Sequence, residues 1–234
     1  MYNRKIKLLI KAVSINSVYV PKIKSNITIP LLHRIVLACD SLRYGKIYKA
    51  VFLMAFYAFL RLSNMAPVST QSFDKTRHFL RGDVIFGSPG AHIIVKWGKA
   101  MQASNKHQVV QIPSLKSSPI CPVKALKSLL SHVHAPSDAP LFLLPSSSGH
   151  RILTSSMISS TLSKVLLSLG ENPSHYGFHT FRRSGVAWAA DHDVSLQHLK
   201  AHGGWASHAI NAYLQHTPIA SSKVATTFQS TLTT

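Results

Sequence analysis

Carboxylates are scarce in this chain. Asp40, Asp74, Asp83, Asp138, Glu171, Asp191 and Asp193 face 26 Lys and Arg, leaving a formal charge of +19 on 234 residues. Self-repulsion at that charge opposes a compact state unless a polyanion is the intended partner. Nucleic acid fits best, because neutralising phosphates releases counterions and rewards basic residues spread over a surface. An anionic membrane surface fits less well, since the basic residues are dispersed and not gathered on one amphipathic stretch. Cysteine is nearly absent too: Cys39 and Cys121 lack metal-ligand spacing and read as small core residues in a reducing compartment. Long apolar runs are missing. The longest, Ala50 to Leu60, is about half of what a bilayer needs. The basic N-terminus, broken by Lys11, makes a poor signal peptide. The expectation is a soluble, intracellular protein with no membrane and no small-molecule substrate among its partners.

An apolar content of 46% predicts a real core. Residues 1–25 are basic and too few to fold alone, so they are expected to be a linker or the remnant of a preceding domain. Thr28 is placed to cap a helix with Pro30 in its first turn and Leu31, Ile35, Val36 and Cys39 on one face. A second helix from about Ile47 to Leu60 is apolar nearly all round, which predicts a buried central position. The period then changes. Val84–Phe86, His92–Trp97 and Gln108–Ile112 read as three strands, the last two forming a hairpin with a long polar loop. Helices are expected again at about Val123–His132, Thr154–Leu169, Thr180–Ala190, Ser195–Ala201 and Ser207–Gln215. Residues 217–234, rich in Ser and Thr, read as a flexible tail. The predicted class is α+β, mainly helical, with a small three-stranded antiparallel sheet.

Chemistry concentrates in His179-Thr180-Phe181-Arg182, Gly203-Gly204-Trp205 and Tyr213. Cutting a phosphodiester without metal requires donors that stay charged, and Arg offers a planar fork that is never deprotonated. A proton carrier is needed, which suits His. So is a hydroxyl that attacks phosphorus and later departs. Tyr suits that reversibility, because phenolate leaves more readily than a serine alkoxide. On a helix, His179 and Arg182 sit three apart and fall on neighbouring positions of one side. The pair alone carries little weight: with 14 His and nine Arg, roughly half a match arises by chance.

The larger pattern is more specific. His-x-x-Arg opens a small-residue helix (Ser184 to Ala190), Trp205 follows 23 positions past Arg182, and Tyr213 follows eight beyond that Trp. Upstream, Tyr57-Ala58-Phe59-Leu60-Arg61-Leu62-Ser63-Asn64 ends an apolar helix. Together these resemble the tyrosine recombinase (phage integrase) family, over about residues 26–216. The resemblance implies a catalytic domain that cuts and rejoins double-stranded DNA, with no metal and no ATP, and works as a homo-oligomer on DNA. It implies that Arg61 and Arg182 clamp the scissile phosphate, Lys99 in the hairpin protonates the leaving 5′ hydroxyl, and His179 acts as acid/base. Trp205 would donate its indole N–H to the phosphate. Tyr213 would attack, leaving a 3′-phosphotyrosyl link. The compartment would follow the host DNA: nucleus in a eukaryote, cytoplasm in a bacterium.

Each residue has a plainer reading beside that one. Arg61 could serve the C-terminus of a buried helix as a cation favoured by the dipole. Lys96 and Lys106 compete with Lys99. Trp205 could be a core aromatic, and Tyr176 and Tyr57 are alternatives to Tyr213. His132, His134, His202 and His208 invite a metal, but no further Cys or acid falls at ligand spacing. Asn64 stands where the family usually places an acid. That departure, with the +19 charge, keeps open a DNA-binding descendant that does not cut. A type IB topoisomerase-like nicking enzyme would share the same residue types.

Overall fold

The computed structural model describes residues 25–97, 107–205 and 210. Helix α1 (Ile29–Ala38) starts as its sequence requires: the Thr28 hydroxyl accepts from the Leu31 amide at 3.3 Å. Its buried positions, Leu31, Leu32, Ile35 and Val36, form one stripe. Helix α2 (Gly45–Tyr57) has no side-chain cap and is buried on nearly every side, so packing and not capping holds it. Phe52 of α2 lies parallel to Phe181, ring centroids 5.2 Å apart. A four-residue helix, α3 (Leu62–Met65), follows after a break at Ala58–Arg61.

Strands β1 (Val84–Phe86), β2 (Gly90–Val95) and β3 (Gln108–Pro113) form an antiparallel sheet in the order β1-β2-β3. Its register sets Val84 against Ile93 and Ile93 against Val110, a row that faces the core. Ile85 and Val109 alternate to the exposed side, the period-2 pattern of a sheet covered on one face. Between helices α4 (Pro122–His132) and α5 (Ser155–Ser168) in the chain comes a two-stranded hairpin, β4 (Leu143–Ser146) and β5 (Gly149–Ile152), which the sequence reading did not anticipate. Helix α6 (Phe178–Asp191) packs on α2, and α7 (Leu196–Gly203) packs on α6. The class is α+β and mainly helical, as expected, with a two-stranded hairpin added to the three-stranded sheet.

Two clusters of buried side chains result. The large one centres on α2 and takes in α1, α4, α5 and the sheet. The small one joins Phe59, Val186, Leu199, Trp205 and Ile210 under the seam between α2, α6 and α7. Cys39 and Cys121 are buried free thiols, and burial pushes the Cys39 thiol up to about 12. Among the described residues no helix is long and apolar enough to cross a membrane.

Candidate functional site

The site begins where α2 ends. The Leu60 amide bonds back to the Ala55 carbonyl at 3.2 Å, closing the helix around Phe59, which takes a left-handed φ of 49°. Glycine is the usual residue there, and a phenylalanine costs about 1–2 kcal/mol. The turn aims the Phe59 carbonyl at Arg182, whose Nη1 donates to it. Two residues on, Arg61 stands at the N-cap of α3, half-buried and lining the resulting cleft. No carboxylate among the described residues pairs with Arg61.

Helix α6 carries the second arginine. Gly185, one turn beyond Arg182, lets α6 press against the end of α2: a Cβ there would meet the Phe56 carbonyl oxygen at 2.2 Å. Arg182 is 2% exposed. Its Nη2 donates to the Gly203 carbonyl at 3.0 Å, and its guanidinium carbon lies 3.9 Å from the centroid of the Trp205 ring. Two carbonyls and an aromatic face therefore fix the plane of this cation at the floor of the cleft. The turn that brings Trp205 beneath it depends on Gly204, at φ 66°, where a Cβ would also meet the Gln108 Oε1 at 2.5 Å.

His179 opens the first turn of α6 and is exposed, whereas Arg182 is buried. Three residues along a helix leave about 60° between side chains, so the pair shares a side without sharing a depth. Partial desolvation, then the charges of Arg182, Arg61 and Arg183, push the His179 imidazole below its ordinary value. A ring held neutral near pH 7 can accept a proton. That both Arg61 and Arg182 act on it places the three side chains in one electrostatic neighbourhood.

The stem of the β2–β3 hairpin closes the cleft. The Asn64 Nδ2 donates to the Trp97 carbonyl at 2.6 Å. On the returning strand, Gln108 Nε2 donates to the carbonyls of Ala201 and His202 at 2.6 and 2.8 Å. Lys96 points elsewhere. Its Nζ sits 2.6 Å from Asp83 Oδ2, with both side chains about nine-tenths buried. That pairing commits Lys96 to Asp83. Arg77 stacks on the Trp97 ring at 4.3 Å. The cleft lining holds no carboxylate among the described residues. Five of the seven acids are tied to Lys or Arg elsewhere, from Lys49–Asp40 at 2.5 Å to Lys75–Asp138 at 3.7 Å. The local field is that of cations waiting for an anion.

Of the six residues singled out in the sequence, Arg61, Arg182, His179 and Trp205 come together. Trp205 does so as a buried ring against Arg182, in the small cluster. Lys99 and Tyr213 lie outside the described residues, as do Lys106, His208 and the expected helix at Ser207–Gln215, of which Ile210 alone is described. Sequence reasoning passed over Phe59 and Gln108, and set a metal site at His202 aside without giving that residue another role. His202 instead meets the Tyr57 carbonyl at 2.9 Å through Nε2 and sets its ring edge-on to Phe59 at 4.7 Å. Among the described residues no group of three or more His, Cys, Asp or Glu could hold a metal ion.

No family model and no curated protein matches this sequence. Solved structures do. XerH site-specific recombinase bound to a palindromic difH substrate, a post-cleavage complex, superposes with a TM-score of 0.60 at 14% identity, covering 89% of this chain and 54% of that one. XerA recombinase gives 0.58 at 17% identity over 97% of this chain and 72% of that one. A lambda integrase dimer bound to a COC′ core site gives 0.53 at 13% identity over 82% and 48%. The chain therefore has the tyrosine recombinase catalytic fold. It spans about half the length of the XerH and lambda integrase chains.

Proposed function

We propose that this chain is the catalytic domain of a site-specific DNA recombinase or integrase, acting on double-stranded DNA through a 3′-phosphotyrosyl intermediate on Tyr213 without metal or ATP. The observation that carries the reading is the convergence of Arg61 and Arg182, from two separate segments, on one cleft whose described lining holds no carboxylate, with the exposed His179 one turn before Arg182 on α6. In this reading the two guanidinium groups hold the non-bridging oxygens and stabilise the charge that builds on phosphorus. The Tyr213 phenolic proton passes to the neutral His179 imidazole as the Tyr Oη–P bond forms. The P–O5′ bond breaks, and Lys99 supplies the proton to the departing 5′ oxygen. Trp205 donates to the phosphate through its indole N–H. One phosphodiester replaces another, so the energy is stored for rejoining, when a partner strand's 5′ hydroxyl attacks the link. Exchange between two duplexes needs paired sites, hence a homo-oligomer on DNA, and the compartment is that of the host DNA.

The rival with a specific observation behind it is a DNA-binding protein that does not cut. Arg182 is 2% exposed and two of its donors are committed to carbonyls. The deciding experiment incubates the protein, without metal or ATP, with nicked suicide DNA substrates drawn from sequences flanking its gene. Denaturing gels score covalent adducts. An adduct formed by the wild type and lost in Tyr213→Phe, with DNA binding retained, establishes nucleophile and reaction class. Tight, salt-sensitive binding with no adduct on any substrate favours the rival. Relaxation of supercoiled plasmid without strand exchange points to a type IB topoisomerase-like enzyme.

A further inference from the structure

Two amide side chains line the arginine cleft and bind the hairpin stem or extend from it, Asn64 from α3 and Gln108 from β3, and the reaction just described uses neither. Asn64 is 4% exposed and donates to the Trp97 carbonyl at 2.6 Å, just beyond the end of β2. Gln108 opens β3 and donates to the Ala201 and His202 carbonyls at the end of α7. Val95 and Gln108 are register partners in the sheet, so a strand pair joins the two amides. The bonded path is continuous. It runs from α3, whose N-cap is Arg61, through Asn64 and Trp97 into the stem. From the stem it passes through Gln108 to α7, where the Gly203 carbonyl seats Arg182.

We propose that Asn64 and Gln108 are positioning residues that make the hairpin stem a brace between the two arginines. The inference rests on the reading of Arg61 and Arg182 as a phosphate clamp. Chemistry explains why both residues are amides. Each faces backbone carbonyls, which accept and never donate, so an ionised carboxylate of the same shape would set oxygen against oxygen. Asn64 stands where the family resembled here usually has an acid, and in this stem an acid would face Trp97 wrongly. It would gain only the guanidinium groups of Arg61 and Arg182 in the same cleft. Gly204 belongs to the same design, since any side chain there would drive into the Gln108 amide.

The test uses the full chain, three single variants and the Asn64→Asp/Gln108→Glu double variant: Asn64→Asp and Gln108→Glu keep shape and delete the donor, and Asn64→Ala deletes the donor without adding charge. Hydrogen exchange is read at the amides of Gly204 and Trp205, which close α7 by bonding to the Ala201 and Lys200 carbonyls at 3.4 and 3.0 Å. Asn64 makes no hydrogen bond to either amide. Both Asn64 variants are expected to speed exchange there about tenfold, with the β1 amides as an unchanged control of folding. Wild-type rates at Gly204 and Trp205 in both Asn64 variants overturn the brace. On suicide substrates, Asn64→Asp and Gln108→Glu each keep DNA affinity within about threefold while the adduct rate falls on the order of 100-fold. The double variant loses less than the product of the single losses, because one brace is broken only once; losses that multiply in full count against it. A wild type that forms no adduct defeats the recombinase reading, and the exchange rates still decide the brace.

Discussion

Helices α2 and α7 meet at the same cleft and are held there by different forces. Ten of the thirteen residues of α2 are buried, and it has no side-chain cap. In α7 two of eight are buried, Leu199 and Gly203. Its ends are tied instead, by the Ser195 hydroxyl accepting from the His198 amide at 3.3 Å and by Gln108 on its last carbonyls. Burial is non-directional and tolerant of small displacements, whereas a hydrogen bond fixes an atom to a few tenths of an ångström. The molecule spends its apolar surface on making the fold, and its directional bonds on placing Arg182 within it.

The sharpest way to break that contrast is in α2. Phe52 is fully buried and stacked on Phe181. Phe52→Ala is expected to cost about 3–5 kcal/mol, a large fraction of a domain's total stability, seen as a drop in the urea midpoint. Leu196→Ala, at a residue 41% exposed in α7, is expected to cost no more than about 0.5 kcal/mol. Equal losses at the two positions would mean that burial holds both helices alike.

A smaller effect separates two lysines three residues apart. Lys96→Ala leaves Asp83 nearly buried with the Leu80 amide at 2.6 Å as its remaining donor. Removing one partner of such a pair costs roughly 3 kcal/mol. Cleavage at temperatures where the variant stays folded is expected to survive. Lys99→Ala is expected to lower the adduct rate by about 100-fold or more, the contribution of a general acid. If Lys96→Ala abolishes cleavage with the fold intact, the assignment of the two lysines is reversed.

Much of the α2 side of this comparison is legible in the sequence, and little of the α7 side. Thr28 with Pro30 announces α1, the all-round apolar run announces α2, and β1 has the predicted limits. The β4–β5 hairpin escapes because Leu141-Phe142-Leu143-Leu144 is a continuous apolar run with no period-2 alternation to mark a strand. The residue types of the cleft are legible too, since Arg and His announce their chemistry. Their seating is not. Arg182 rests on the carbonyls of Phe59 and Gly203, His202 meets that of Tyr57, and Asn64 that of Trp97. A carbonyl belongs to every residue and leaves no mark in the sequence. Lys96 and Lys99 look equivalent until the fold brings Asp83 against one of them.

The mildest test is titration. His78, His179 and His202 all lie below their ordinary value, desolvation being the largest cause in each. For His202 the bond with the Tyr57 carbonyl opposes the shift and the charge of Arg182 adds to it. The unfolded chain holds these rings near 6.5 and so binds protons that the folded chain refuses. Stability is therefore present in full above that value. It is lost as pH falls through 6.5 toward the lowered folded values, and the melting temperature is expected to drop between pH 7.5 and 5. His202→Gln keeps a donor for Tyr57 but cannot titrate, so its melting temperature should fall less over the same range. A variant whose pH dependence matches the wild type would show that the burial of His202 does not resist protonation. The bond between α7 and the end of α2 would then be looser than the contrast between the two helices requires.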